Sequence, residues 1–235
     1  MTASHDRARP LAAGVLLVAA GYWLPSASLV SATARRCFGV SATVDGDAVA
    51  LTFDDGPHVR GTPAVLDCLE RERVQATFFL VGEAVEREPA LAAEIVAAGH
   101  AVGVHCHLHR NLMRLTPRQV RSDLTRAASL IESATGITPA VYRPPYGILT
   151  TPALLHARDQ GWRTVLWRRD GADWDELATP DSVTARMVRS LDPGDVLLLH
   201  DSDSYSAPGS WRVTVQALPR IIEAVRSREL EFSAP

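Results

Sequence analysis

Along most of the chain, apolar runs of about five residues alternate with longer stretches in which apolar positions recur at helical spacing. The short runs lie near residues 49–53, 77–81, 101–105, 140–143, 163–167 and 195–199, and read as buried strands. Ala90 to Ala98 and Val120 to Ile131 carry the helical spacing between them. Thr62-Pro63, Thr116-Pro117, Thr151-Pro152 and Thr179-Pro180 each predict a helix start, with threonine offering the N-cap oxygen and proline at the first helical position, where its missing N–H costs nothing. Gly99, Gly136, Gly161 and Gly194 lie near the far ends, as left-handed closing residues do. Arg212 to Arg228 reads as the last long helix, and Glu229 to Phe232 as a short final strand. Strand and helix alternate throughout, which predicts an α/β chain with a mainly parallel sheet.

The first thirty-six residues follow a different pattern. Arg7 and Arg9 precede a run from Leu11 to Leu24 without a charged residue, and the chain then turns small and polar through Ser26-Ala-Ser28 to Ala32-Thr-Ala34. That order predicts a secretory signal cut before Arg35. Counted on to Val30, the apolar stretch reaches the length of a membrane anchor, although Pro25 and several serines weaken its second half. Either reading makes residues 1–36 a targeting segment and residues 37–235 the working domain, outside the cytoplasm. About two hundred residues suffice for one compact domain and leave no room for a separate carbohydrate-binding module.

Charge and cysteine content exclude more than they identify. The net charge is −3, every basic residue is arginine, and no basic patch forms, so nucleic acid is not an expected partner. Cys37, Cys68 and Cys106 are odd in number and widely spaced, which gives no disulfide framework.

The chemistry sits where strand candidates end. Asp54 and Asp55 follow the apolar approach Val49 to Phe53 and precede the turn Gly56-Pro57. Neighbouring side chains there point in different directions, so one acid can ligate a metal while the other deprotonates water. Two aspartates before Gly-Pro are also ordinary turn residues. His105 and His109 can reach one ion only if the chain curls between them, since a helical turn brings such a pair within roughly 6 Å and an extended strand holds it about 13 Å apart. One carboxylate and two imidazoles leave positions open for water and substrate, the mark of a catalytic rather than a structural site. Arg143-Pro-Pro-Tyr-Gly147, Asp170-Gly-Ala-Asp173-Trp174 and His200-Asp201 also follow strand candidates, which predicts a site assembled at one rim of a parallel barrel or sheet.

The blocks TFDDGP, HCHLH, RPPYG, DGADW and LLLHD resemble, in order and spacing, the motifs of the polysaccharide deacetylases with a NodB homology domain, carbohydrate esterase family 4. The resemblance spans roughly residues 47 to 232. It implies a distorted (β/α) barrel of about seven parallel strands, one divalent metal, usually zinc, and removal of N-acetyl groups from N-acetylglucosamine units. By the same resemblance Asp55, His105 and His109 are the metal ligands and Asp54 the general base, kept ionised by Arg143. The backbone N–H of Tyr146 helps bind the oxyanion. His200 is the general acid, paired with Asp173, and Trp174 and Leu198 wall the acetyl pocket. The expected partner is an acetylated glycan such as peptidoglycan or a chitin-like chain, met by a monomer, with the membrane contacted only through residues 11–30.

The sequence departs from the family pattern in places. Cys106 stands where serine or threonine is usual, either as a further thiolate ligand or as a small buried substitute. Arg110 replaces a common proline, and His107 points elsewhere than the metal. Asp170, Arg168 and Arg169 border the site or are solvated loop residues. Tyr205 and Trp211, on the polar segment after His200, either stack on sugar rings or anchor their own loop. The alternatives to polysaccharide deacetylation are a relative that keeps the groove but has lost turnover, and a deacylase acting on another amide.

Overall fold

A computed structural model describes residues 21–235, so the first part of the leader or anchor expected over residues 11–30 lies outside the described residues. Among the described residues, no helix is long and apolar enough to cross a membrane.

The described residues form nine short strands, in chain order β1 (Val40–Ser41), β2 (Ala48–Asp54), β3 (Thr77–Val81), β4 (Ala101–Cys106), β5 (Val141–Tyr142), β6 (Arg163–Val165), β7 (Arg169–Asp170), β8 (Val196–His200) and β9 (Glu231–Phe232). They pair in the order β1-β6-β5-β4-β3-β2-β8-β7, with β9 added beside β2, and every strand pair is parallel. Although β6 and β7 lie near opposite ends of that order, only residues 166–168 separate them. Such a link spans roughly 10–14 Å at most, so the sheet must curl until its ends nearly meet. Leu166 N–H donates to Ser41 at one end, and Arg168 N–H to Val196 at the other. An antiparallel bridge between Thr43 and Asp195 ties the same seam. The result is the expected distorted barrel.

Alternation along the strands separates two cores. Val49, Leu51 and Phe53 of β2 and Leu197 and Leu199 of β8 face outward into the large cluster beneath the helices. Ala50, Phe79, Val141, Val165 and Val196 face inward and fill the barrel. Gly103 of β4 is inward too, and a Cβ there would lie 2.7 Å from Val141 Cγ2 and 2.9 Å from Phe79, so only glycine fits.

The helix Pro117–Thr135 has the Thr116–Gln119 capping box at its start, left-handed Gly136 at its end, and Val120, Leu124, Ala127 and Ile131 buried along one stripe. Thr179 caps Pro180–Val188 in the same way. Two other predicted caps are corrected. Thr62 lies inside the helix Gly61–Glu72, where its hydroxyl accepts from His58 N–H and donates to the Asp201 carboxylate. Thr151 is the first residue of Thr151–Asp159, and neither it nor the N-cap Thr150 caps through its side chain. Gly194 likewise does not close a helix: that helix stops at Val188, and Gly194 serves the turn into β8. The long helix near the end runs over Ser210–Arg226.

Residues assigned to the targeting segment are folded onto the barrel. Leu24–Leu29 form a 3-10 helix and Ala32–Phe38 an α-helix whose cap, Ser31 Oγ, accepts from Ala34 N–H at 3.2 Å. The expected cut before Arg35 falls inside this capped helix.

Candidate active site

The inward phase of each strand carries its chemistry to the C-terminal rim. In β2 the inward residues are Ala50, Thr52 and Asp54, in β8 they are Val196, Leu198 and His200, in β4 Gly103 leads to His105, and past β5 Val141 leads to Arg143. A layer of apolar side chains thus floors a layer of ionisable ones.

Asp55 leaves the strand with φ of 77°, a left-handed conformation costly for a non-glycine residue, so its carboxylate separates from that of Asp54. Its Oδ1 lies 3.4 Å from His105 Nε2 and 3.3 Å from His109 Nε2. The three donor atoms lie within 4.8 Å of one another, since the chain curls after β4 as the spacing required. Asp55 Oδ1 is buried and has no hydrogen-bond partner, an expensive arrangement unless a cation completes it. His105 Nδ1 lies 2.7 Å from the Arg143 carbonyl oxygen, to which it donates, leaving the Nε2 lone pair facing Asp55. Burial and the His105 charge hold His109 down to about 4, so its imidazole is neutral near pH 7. Burial pushes Asp55 upward, but His105, His200 and His109 outweigh it and hold the carboxyl at about 2. An ionised carboxylate facing two imidazole nitrogens fits a divalent cation.

Asp54 stands beside this cluster, its Oδ1 accepting from Arg143 Nη1 at 2.8 Å. Arg143 is fully buried, and also donates to Thr52 Oγ1 at 2.8 Å and to the Val165 and Leu166 carbonyls. Its guanidinium lies 4.1 Å from the centre of the Phe79 ring. His200 Nδ1 sits 2.8 Å from Asp173 Oδ1, while Asp173 Oδ2 accepts from His200 N–H and Thr214 Oγ1. Burial depresses His200, but the Asp173 carboxylate outweighs it, with help from Asp55 and Asp54, and holds the imidazole at about 10.

These groups line a pocket of about 320 Å³ with Tyr146, Trp174 and Leu198 on its walls. Every predicted site residue but Arg143 and Asp173 lines it directly, and those two each hold a residue that does. Trp167, Asp170 and Ser206 line it as well. Arg168 and Arg169 turn away, to Asp192 and Asp195.

Tyr205 lines the pocket while held by its neighbours. Its ring stacks on His109 at 4.3 Å between centres and its hydroxyl donates to Glu83 at 2.6 Å, so it packs over a candidate ligand. Trp211 packs near His58, with ring centres 6.4 Å apart. Cys106 is the small buried substitute: it belongs to a cluster with Val81 and Ala84, and burial pushes its thiol well up. His107 is buried outside the Asp-His-His cluster, its backbone N–H donating to Asp123.

The profile described as Polysaccharide deacetylase matches residues 41–165. A peptidoglycan-N-acetylglucosamine deacetylase of Bacillus cereus is 32% identical over 212 residues, covering 90% of this chain and 74% of that protein. A chitooligosaccharide deacetylase of Bradyrhizobium sp. is 37% identical over 209 residues, 84% of this chain and 92% of its own. Among solved structures, the Bc1960 peptidoglycan N-acetylglucosamine deacetylase superposes with a TM-score of 0.76 at 32% identity, over 83% of this chain and 89% of that one.

Proposed function

We infer, since the chain belongs to the polysaccharide deacetylase family, that it is a metal-dependent hydrolase removing N-acetyl groups from N-acetylglucosamine-containing polysaccharide, peptidoglycan or a chitin-like chain, with release of acetate. The observation that carries this reading is the buried, partnerless Asp55 Oδ1 facing two imidazole Nε2 atoms, flanked by one carboxylate and one histidine that each have a dedicated partner.

An amide resists hydrolysis because its carbon is a poor electrophile and its nitrogen a poor leaving group. Asp55, His105 and His109 would hold one divalent cation, which supplies Lewis acidity toward the acetyl oxygen and the attacking water. Zinc suits this set of one hard oxygen and two imidazole donors. Arg143 engages only one Asp54 oxygen, leaving the other to take the proton from water. The Tyr146 N–H would donate to the acetyl oxygen as negative charge develops there. His200, with Nδ1 committed to Asp173, would deliver a proton from Nε2 to the departing nitrogen. Trp174 and Leu198 would confine the methyl and keep bulk water out. The peptidoglycan named for one relative supports a reaction outside the cytoplasm, with the segment 1–36 supplying a secretory signal or a membrane anchor.

Acetate release from N-acetylated chito-oligosaccharides and from purified peptidoglycan tests the reading. Release is expected to stop on chelation and to return on adding zinc. No acetate from either substrate at any metal loading would overturn it. Asp173→Asn tests the acid's assignment: without the carboxylate that raises His200, the alkaline limb of kcat is expected to move toward neutral pH. A limb that stays put in the variant would remove His200 from that role.

A further inference from the structure

We propose that Leu29, in the segment preceding the barrel, is a positioning residue for the loop that carries Tyr146, and that the working enzyme therefore retains residues 21–36. This rests on the deacetylase reading.

Tyr146 and Gly147 have successive positive φ values of 59° and 68°. For the tyrosine such a conformation costs on the order of 1 kcal/mol or more, and it persists only when neighbours over-determine it. Those neighbours are identifiable. A Cβ on Gly147 would lie 2.6 Å from Leu29 Cδ1 and 2.9 Å from Trp167 Cη2, so both side chains pack closely against the face of the turn where a side chain would project. Trp167 lines the pocket, whereas Leu29 does not. Leu29 acts from behind.

The segment bearing Leu29 is fastened to the same loop. Ser26 Oγ donates to the Leu149 carbonyl at 2.7 Å, Thr151 Oγ1 donates to the Gly21 carbonyl, and the Tyr22 hydroxyl donates to the Leu115 carbonyl. Ser28 is buried, and its carbonyl accepts from Arg35 Nη1 at 3.0 Å, which ties the segment to the helix Ala32–Phe38. Cleavage before Arg35 would remove Leu29, Ser26 and the Ser31 cap together, leaving Trp167 alone against that face of the Tyr146 turn. A shift of about 1 Å at a catalytic donor can cost on the order of 10²-fold in rate.

The test uses the full chain with Leu29→Ala and Leu29→Met. In Leu29→Ala, amide exchange is expected to quicken in a peptide covering residues 144–151 while the strand 101–106 is unchanged. The kcat is expected to fall about 10- to 100-fold with little change in KM or zinc affinity, because substrate and metal are held by other groups. Leu29→Met, which refills the space, is expected to restore most of both. The intact mass of the active exported enzyme is expected to include residues 21–36. Unchanged exchange at 144–151, unchanged kcat in the alanine variant, or an active exported form beginning at Arg35 would overturn the proposal. A parent that releases no acetate, yet whose 144–151 exchange responds to Leu29, would sink the deacetylase reading and leave the buttress standing.

Discussion

Asp54→Asn is expected to lower kcat by about 10²- to 10⁴-fold while zinc affinity and Tm stay close to those of the parent. The substitution is isosteric, and the amide oxygen can still accept from Arg143 Nη1, now 2.8 Å from Asp54 Oδ1. What disappears is the ability to take a proton. The candidate metal cluster is Asp55, His105 and His109, and the substitution touches none of them. Acetate-release kinetics beside zinc titration of the same sample separate the two effects. A variant as fast as the parent would mean another group deprotonates the water, and one that fails to bind zinc would mean Asp54 is a ligand.

Arg143→Met is expected to cost about 3–5 kcal/mol of stability and to remove turnover as well. Methionine fills much of the space over Phe79, so the loss is electrostatic rather than a matter of volume. The change strands the Asp54 carboxylate, 3% exposed, along with the Val165 and Leu166 carbonyls that the guanidinium satisfies. For a domain of this size that corresponds to a Tm lower by about 10 °C. Combining the two substitutions supplies the check: once Asp54 is neutral the stranded charge is gone, so the double variant is expected to be more stable than Arg143→Met alone. Additive losses would show that the ion pair is not the source of the cost.

Much of this site was legible because its residues stand at strand ends, where an apolar run stops at an ionisable group. Asp54, His105, Arg143 and His200 all show that signature, and the curl between His105 and His109 was demanded by the geometry of sharing one ion. Signals failed where side chains had competing partners or elements were too short. Thr62 looks like a cap in sequence, but its hydroxyl is taken by Asp201 and His58 N–H. β7 consists of Arg169 and Asp170, which carry no apolar periodicity, and β1 is only Val40 and Ser41. The helix Gly82–Arg87 starts on Val81 without a capping side chain, so nothing announced it. Tyr205 reaches His109 and Glu83 only through tertiary folding, a contact that local pattern cannot encode. Residues 24–36 fit two patterns at once: small and polar positions that suit a processing site also suit a packed 3-10 turn and a short capped helix.

Because floor and reactive layer share the inward phase of single strands, the kind of bond broken is locked to the phase of the β-backbone. A one-residue insertion in β8 would carry His200 to the helix side and bring Leu199 into the reaction chamber. The parts of the connections above the rim that carry none of the site residues bear no such constraint. Over evolutionary time they are free to drift toward new polymers, while amide hydrolysis stays fixed beneath them.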